Sequence, residues 1–453
     1  METLAHRAEP SDAPAATASC PSWVLLDTYC HGGDDDPAAL ARTSAASHAS
    51  TGRPFRVSFG LTPPPATSSF FFDWTGSAPG GGGDYPGEAR VIAAHGGCVL
   101  VEIRVPAKKL YEGASRTFRF DYFVYDPGVA RPPSLWLLPA CFVPVRGDAC
   151  DDGPRFFLSG HIGVLRRGEG DDEIVVAELE FPKRRSVPRR PGEDDDEEIV
   201  AAKLKLPPMS ADLCVLRGQG EWELVEQVPV VVDDGDCCQE DLLWWWETDA
   251  AVPVGDRYLC FVDYIRGFLL YDTAAETSGL KLRYVPLPVE VPRGNPDKDD
   301  WGRPHMEHSR NLAAGGGGGG NDVRFVSVEP RCCCGGPGKS TCPRSSFAFL
   351  VTTWTLSLTS DEPTVAAAWV KNGVLDCGEL WSLPRYDGLP RVPVKFPIVS
   401  SDDPDSVCFV LESREDERRV WMVEIDTRRK TLRSVVPFTA KWQPYWRLPA
   451  KLQ

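Results

Sequence analysis

Asp256–Pro286 reads DRYLCFVDYIRGFLLYDTAAETSGLKLRYVP, and Asp405–Pro437 reads DSVCFVLESREDERRVWMVEIDTRRKTLRSVVP. Both stretches open on Asp, pass through a Cys-Phe-Val strand and a turn, and run into a second apolar strand that ends in Asp-Thr. A short polar turn, a Leu and a third apolar strand closed by Pro complete each copy. Short alternating strands joined by tight turns describe a β-meander. The Asp at the strand end can bond its own turn backbone, and the Pro stops the next ladder from continuing.

A fainter copy runs from Cys98-Val99-Leu100 through Phe123-Val124-Tyr125-Asp126 to Leu135-Trp136-Leu137-Leu138-Pro139. Leu213-Cys214-Val215-Leu216, followed by Trp222-Glu223-Leu224-Val225, reads as the first half of another. Cys214 and Cys260 lie 46 residues apart and Cys260 and Cys408 lie 148 apart, which suggests units of roughly 49 residues. A four-stranded unit with a period of ~40–50 residues is a propeller blade. One meander cannot cover both its faces, and neighbours in a ring supply the missing cover. The expected fold is therefore an all-β propeller, six-bladed by preference, and the alternative is a pair of stacked β-sandwich-like sheets.

Along the 453-residue chain, low-complexity inserts separate the expected units. Residues 1–20 read as a disordered tail and 21–240 as the N-terminal blades. Residues 241–383 follow, with a flexible insert at 295–321, and 384–453 hold the C-terminal blades that close the ring. Gly80–Gly83, Glu193–Glu198 and Gly315–Gly320 are low-complexity loops between units.

A net charge of −16 repels phosphate backbones and anionic lipid, so nucleic acid and membrane are disfavoured as partners. No apolar run is long enough to span a bilayer. Met1–Cys20 lacks the apolar segment of a secretory signal and carries acids that a transit peptide avoids. With no such signal, 15 scattered cysteines read as reduced thiols in a cytoplasmic or nuclear protein.

Catalytic patterns are missing or broken. Pro337-Gly338-Lys339-Ser340-Thr341 resembles the end of a phosphate-binding loop, but Cys333 stands where its first Gly belongs and Pro343 blocks the following helix. His305, His308, Cys332, Cys334 and Cys342, with Asp299 and Asp300, form a conceivable metal set. Adjacent cysteines such as Cys332-Cys333-Cys334 chelate one tetrahedral ion poorly. His95 and His161 sit near strand ends and are candidate catalytic groups if they meet at one mouth of the channel. Lys183 to Arg190 is a candidate nuclear signal, countered by the six acids Glu193–Glu198. Trp244-Trp245-Trp246 reads as the start of a strand with aromatic rings on both faces.

The stretch Gly255-Asp256-Arg257-Tyr258-Leu259-Cys260-Phe261-Val262-Asp263-Tyr264-Ile265-Arg266-Gly267, continued by Phe268–Asp272 and Arg283–Pro288, resembles the plant "domain of unknown function 1618" family. Pro21-Ser22-Trp23-Val24-Leu25-Leu26-Asp27 looks like its N-terminal signature. The family's domain would span about Asp241 to Leu383, with Phe261 in place of its Trp before Val-Asp. The Asp-Thr-turn-Leu repeat is also similar to propeller modules that accompany F-box proteins, although no helical F-box segment precedes it here. The resemblance supplies no catalytic residues and no cofactor. The reading is a non-catalytic module that binds a protein partner, and the alternative is a propeller enzyme, a hydrolase or a metal-dependent one.

Overall fold

A computed structural model describes residues 21–31, 40–75, 88–106, 118–128, 131–143, 154–167, 173–181, 209–232, 246–290, 305–315, 321–332, 347–358, 368–413, 419–438 and 447–452. Strands dominate, with a one-turn helix, α1 (Cys377–Trp381), capped by the Asp376 side chain.

Among the described residues the strands form hydrogen-bonded sheets of nine, eight, four and four strands. The two larger ones divide at narrow seams. β1 (Val24–His31) meets β5 (Ala89–His95) only at Tyr29↔Arg90. β12 (Glu223–Val231) meets β16 (Leu282–Pro286) only at Val230↔Leu282 and Val231↔Arg283. Split there, the described strands form six sheets.

Sheet one holds β1, β2 (Ala45–His48), β3 (Pro54–Gly60) and β4 (Thr67–Trp74), joined by β25 (Arg447–Ala450) from the far end of the chain. Sheet two is the meander β5, β6 (Cys98–Pro106), β7 (Phe118–Asp126) and β8 (Ser134–Leu137). Sheet three is β9 (Ile162–Arg167), β10 (Glu173–Glu180), β11 (Ser210–Arg217) and β12. Sheet four is β13 (Ala250–Val254), β14 (Tyr258–Asp263), β15 (Gly267–Asp272) and β16. Sheet five is β17 (Arg310–Ala314), β18 (Asp322–Pro330), β19 (Phe349–Ser357) and β20 (Val370–Asp376). Sheet six is β21 (Lys395–Val399), β22 (Ser406–Glu412), β23 (Val420–Asp426) and β24 (Thr431–Phe438).

The buried side chains show how these sheets stack. One apolar cluster joins sheet one to sheet two through Val57 and Val101, and the next joins two to three through Leu100 and Val164. Leu213 and Phe261 belong to the cluster between three and four, and Cys260 and Phe325 to that between four and five. Val351 and Phe409 join five to six, and Trp23 and Leu25 pack on Cys408 and Val410 to join six back to one. Each sheet therefore has a neighbour on both faces and the succession closes on itself. That is the packing of a β-propeller, whereas a two-layer sandwich covers only one face of each sheet. The first strands β5, β9, β13, β17 and β21 lie side by side in chain order, with β25 beside β5. The approach is close: a Cβ on Gly163 of β9 would lie 2.6 Å from the Leu259 side chain of β14.

Strand alternation explains why the Cys-Phe-Val string recurs. In β14, Phe261 points to sheet three while Cys260 and Val262 point to sheet five. In β22, Phe409 points to sheet five while Cys408 and Val410 point to sheet one. β6 follows the same rule, with Val99 and Val101 facing back and Cys98 and Leu100 facing forward. The Asp-Thr pair ends the third strand in both strong copies. Thr273 Oγ1 donates to the Arg257 carbonyl at 2.7 Å, and Thr427 Oγ1 donates to the Asp405 carbonyl at 3.1 Å. Asp272 accepts from the Ala274 N–H at 3.0 Å and Asp426 from the Arg429 N–H at 2.7 Å, the turn bonds expected of a strand-end Asp.

Three readings change. Cys214 lies in β11, a third strand, whereas Cys260 and Cys408 lie in second strands, so 46 residues is not a blade period. Cys260 and Cys408 are two sheets apart rather than three units apart, because long connections lengthen each unit. The insert at 295–321 contains ordered chain: Arg310–Ala314 is β17, paired with β18 from Arg310↔Ser327 to Ala314↔Val323. Trp246 is not in a strand, since β13 begins at Ala250; its indole is buried and donates to Thr248 Oγ1 at 3.1 Å. Trp244 and Trp245 lie outside the described residues, as do 1–20, Gly80–Gly83, Lys183–Arg190, Glu193–Glu198, Gly316–Gly320, Cys333, Cys334, Pro337–Thr341 and Cys342.

Candidate functional site

His95 is the last residue of β5, where the inner strands end. Its Nδ1 accepts from the Arg166 backbone N–H at 2.9 Å, and its ring also hydrogen-bonds the Gly255 backbone. Burial, with the Arg166 guanidinium beside it, pushes the imidazole pKa down to about 4 against a pull upward from Asp256. A neutral imidazole bonded to two backbones is spent on joining sheets two, three and four. Gly255 permits that join: its φ is +60°, and a Cβ there would lie 2.4 Å from Asn321 Oδ1.

His161 immediately precedes β9, while Arg166 is near its end. Five residues of extended strand separate His161 from His95's partner, about 16 Å at ~3.3 Å per residue. The two histidines therefore belong to opposite ends of the inner strands and do not form one catalytic constellation. Burial lowers the His161 pKa as well, with Glu247 opposing it.

Of the metal set, His305, His308 and Cys332 are described. His308 lies just before β17 and Cys332 just after β18, so the antiparallel pairing brings both to one end of sheet five. The His308 carbonyl accepts from the Phe396 N–H at 2.8 Å, and its Nδ1 bonds the His305 carbonyl. Among the described residues no three His, Cys, Asp or Glu side chains gather in a metal-holding group.

The feature that local sequence patterns did not single out is three large apolar side chains left exposed on β8 and on the segments that lead from it to β9. Leu137, Phe142 and Leu158 are 41%, 68% and 49% exposed. The segments that carry them are held firmly. Leu138 N–H donates to the Tyr122 carbonyl at 2.8 Å, Arg155 N–H to the Cys141 carbonyl at 2.7 Å, and Phe157 N–H to Tyr122 Oη at 3.0 Å. Trp222 Nε1 donates to the Pro139 carbonyl at 2.7 Å and its ring packs 4.9 Å from Phe157. Arg155 is buried and bonds Glu178 at 2.7 Å, with Glu180 as a second partner. Burial raises the Glu178 carboxyl pKa to about 7 against the pull of Arg155. The only sequence signal here was the apolar run Leu135–Pro139, which read as strand and gave no hint of which side chains face solvent.

Residues 261–408 match the model of a family described as a protein of unknown function (DUF1618). The match begins inside β14 and ends inside β22, further along the chain than the 241–383 expected. No curated protein matches the chain. Among solved structures it is similar to a candidate 6-phosphogluconolactonase from Bacteroides uniformis, at 10% identity over 92% of this chain and 83% of that one, with a TM-score of 0.31. It is also similar to a glycosyl hydrolase from Bacteroides ovatus, at 8% identity over 76% and 85%, TM-score 0.25. An ulvan lyase of polysaccharide lyase family PL25 aligns at 9% identity over 77% and 85%, TM-score 0.29. Likenesses of this size carry no argument about reaction or ligand.

Proposed function

We propose that this chain is a non-catalytic interaction module whose β-propeller presents the Leu137–Phe142–Leu158 surface to a protein partner. The observation that carries the reading is that Leu137, Phe142 and Leu158 stand exposed on segments whose backbones are hydrogen-bonded to sheet two and to each other. Exposed apolar side chains grouped on a rigid scaffold are the usual mark of a protein contact. His95 supports the same reading, because its neutral imidazole is engaged by the Arg166 and Gly255 backbones. The net charge of −16 favours protein over nucleic acid or anionic membrane. No cofactor is needed for such a role, and reduced thiols fit a cytoplasmic or nuclear setting. A plant origin and kinship with repeats that accompany F-box proteins belong to the same proposal.

The test is affinity capture from native tissue, comparing the wild-type chain with a Phe142→Asp, Leu158→Asp double variant of equal thermal stability. A reproducible protein retained by the wild type and lost by the variant supports the proposal. Retention by both, or no reproducible partner together with turnover of a small molecule by the purified chain, overturns it.

A further inference from the structure

Cys141 and Cys214 are separated by 73 residues, yet their Sγ atoms lie 3.6 Å apart in the interface between sheets two and three. Cys214 is in β11 and points back toward sheet two, while Cys141 belongs to the segment that follows β8. We propose that this pair is a peroxide-oxidisable dithiol that closes to a reversible disulfide in the folded protein.

Three observations set the pair apart from the other buried cysteines. The sulfurs already touch, 3.6 Å apart against a disulfide bond of about 2.05 Å. Cys141 keeps 3% exposure and Cys214 1%, whereas Cys98, Cys260 and Cys408 are at 0%. The surroundings also favour a thiolate within the pair. A hydrogen bond between the two sulfurs favours a thiolate in the pair, burial works against it, and the Arg155 guanidinium favours the thiolate of either residue. Either thiol can donate in the shared hydrogen bond, so whichever ionises keeps the other as its protonated neighbour. Nucleophilic attack needs a thiolate, and the resolving step needs a second thiol in reach.

The chemistry balances with hydrogen peroxide as the oxidant. The Cys141 thiolate attacks one peroxide oxygen, the O–O bond breaks, and sulfenic acid forms at Cys141 with hydroxide leaving. Cys214 sulfur then attacks the sulfenic sulfur, the S–O bond breaks, and the S–S bond forms as water leaves with the Cys214 proton. Two thiols and one peroxide give one disulfide and two waters, the two electrons passing from sulfur to oxygen. The bond ties the segment beside Phe142 to the third sheet. This inference does not depend on the proposed function.

The experiment treats the purified full chain with hydrogen peroxide, blocks free thiols, digests without reduction and maps linked peptides by mass spectrometry. The expected product is a Cys141–Cys214 link, two hydrogens lighter than the separate peptides, reversed by dithiothreitol and missing from Cys141→Ser and Cys214→Ala variants. Cys98, Cys260 and Cys408 serve as internal controls and stay reduced in the same sample. The proposal is overturned if both thiols remain alkylatable on later unfolding, if Cys141 links to Cys150, or if Cys141 advances to sulfinic acid while Cys214 stays free. The wild-type map decides among these outcomes even if a variant fails to fold.

Discussion

His95 accepts a hydrogen bond from the Arg166 backbone N–H at 2.9 Å, which ties the end of β5 to the end of β9 on the inner ring. A protonated imidazole cannot accept that bond. The folded pKa of about 4 lies below the ordinary value of 6.5, so the unfolded chain takes up a proton first as the pH falls. The stability is present above pH ~6.5 and is lost as the pH falls toward 4, by at most about 3 kcal/mol. Urea titrations at pH 7.5 and pH 5 should show a larger loss for wild type than for His95→Gln. His161 shifts in the same direction, so wild type and variant must be compared at both pH values. Equal losses would remove His95 from the explanation.

β25 and β1 bring the two ends of the chain into one sheet, with Val24 opposite Ala450 and Leu26 opposite Leu448. Ala450 and Leu452 are part of the cluster between sheets one and two. Deleting residues 447–453 removes an inner strand and exposes the β1 edge. Thermal unfolding should become broader and lose on the order of 2–5 kcal/mol, with some self-association through the open edge. An unchanged melt would mean that β25 does not close the ring.

Thr273 and Thr427 make the same hydrogen bond in sheets four and six, and both are buried. Thr273→Val and Thr427→Val keep the shape and leave one carbonyl with a bond fewer. Each should cost about 1 kcal/mol in denaturant unfolding, and the costs should add because the sites share no partner. A large cost at only one site would argue against their equivalence.

Arg155 and Glu178 form a buried ion pair at 2.7 Å between sheets two and three. Arg155→Met leaves the buried Glu178 carboxyl without its partner, raises its pKa further above about 7 so that it is protonated at neutral pH, and should cost about 1–3 kcal/mol. Arg155→Met with Glu178→Leu should recover most of that loss. Calorimetry of the three proteins checks this, and a double variant no more stable than the single one refutes it.

Burial pushes the thiol pKa of Cys98 up to about 11 and raises those of Cys260 and Cys408 further. These three should resist alkylation in the native state and react on unfolding in guanidinium, without any reductant. Rapid native labelling, or a need for reductant, would contradict the placement of these residues inside the sheet interfaces.

Much of a single blade was legible in the sequence. Cys260-Phe261-Val262 and Cys408-Phe409-Val410 are strings of consecutive apolar residues, which only a strand covered on both faces tolerates. Asp272-Thr273 and Asp426-Thr427 mark the strand ends through bonds to nearby backbone. The blade period was not legible, because Cys214 imitates the second-strand string from a third-strand position. β17 was missed because its five residues, Arg310–Ala314, run straight into a glycine run whose composition hides the strand. His95 and His161 do not meet, because strand direction places them at opposite ends of the inner strands.

The sequence by itself determined the all-β character, the meander unit and the need for cover on both faces, since alternation and turn chemistry act between residues only a few positions apart. Only the tertiary structure decided that β25 joins β1, that Cys141 meets Cys214, that Arg155 lies against Glu178, and that Phe142 faces solvent. These are contacts or exposures set by how whole sheets stack around a ring. A residue's own neighbours in the chain carry no record of which distant strand will cover it, or of whether any will.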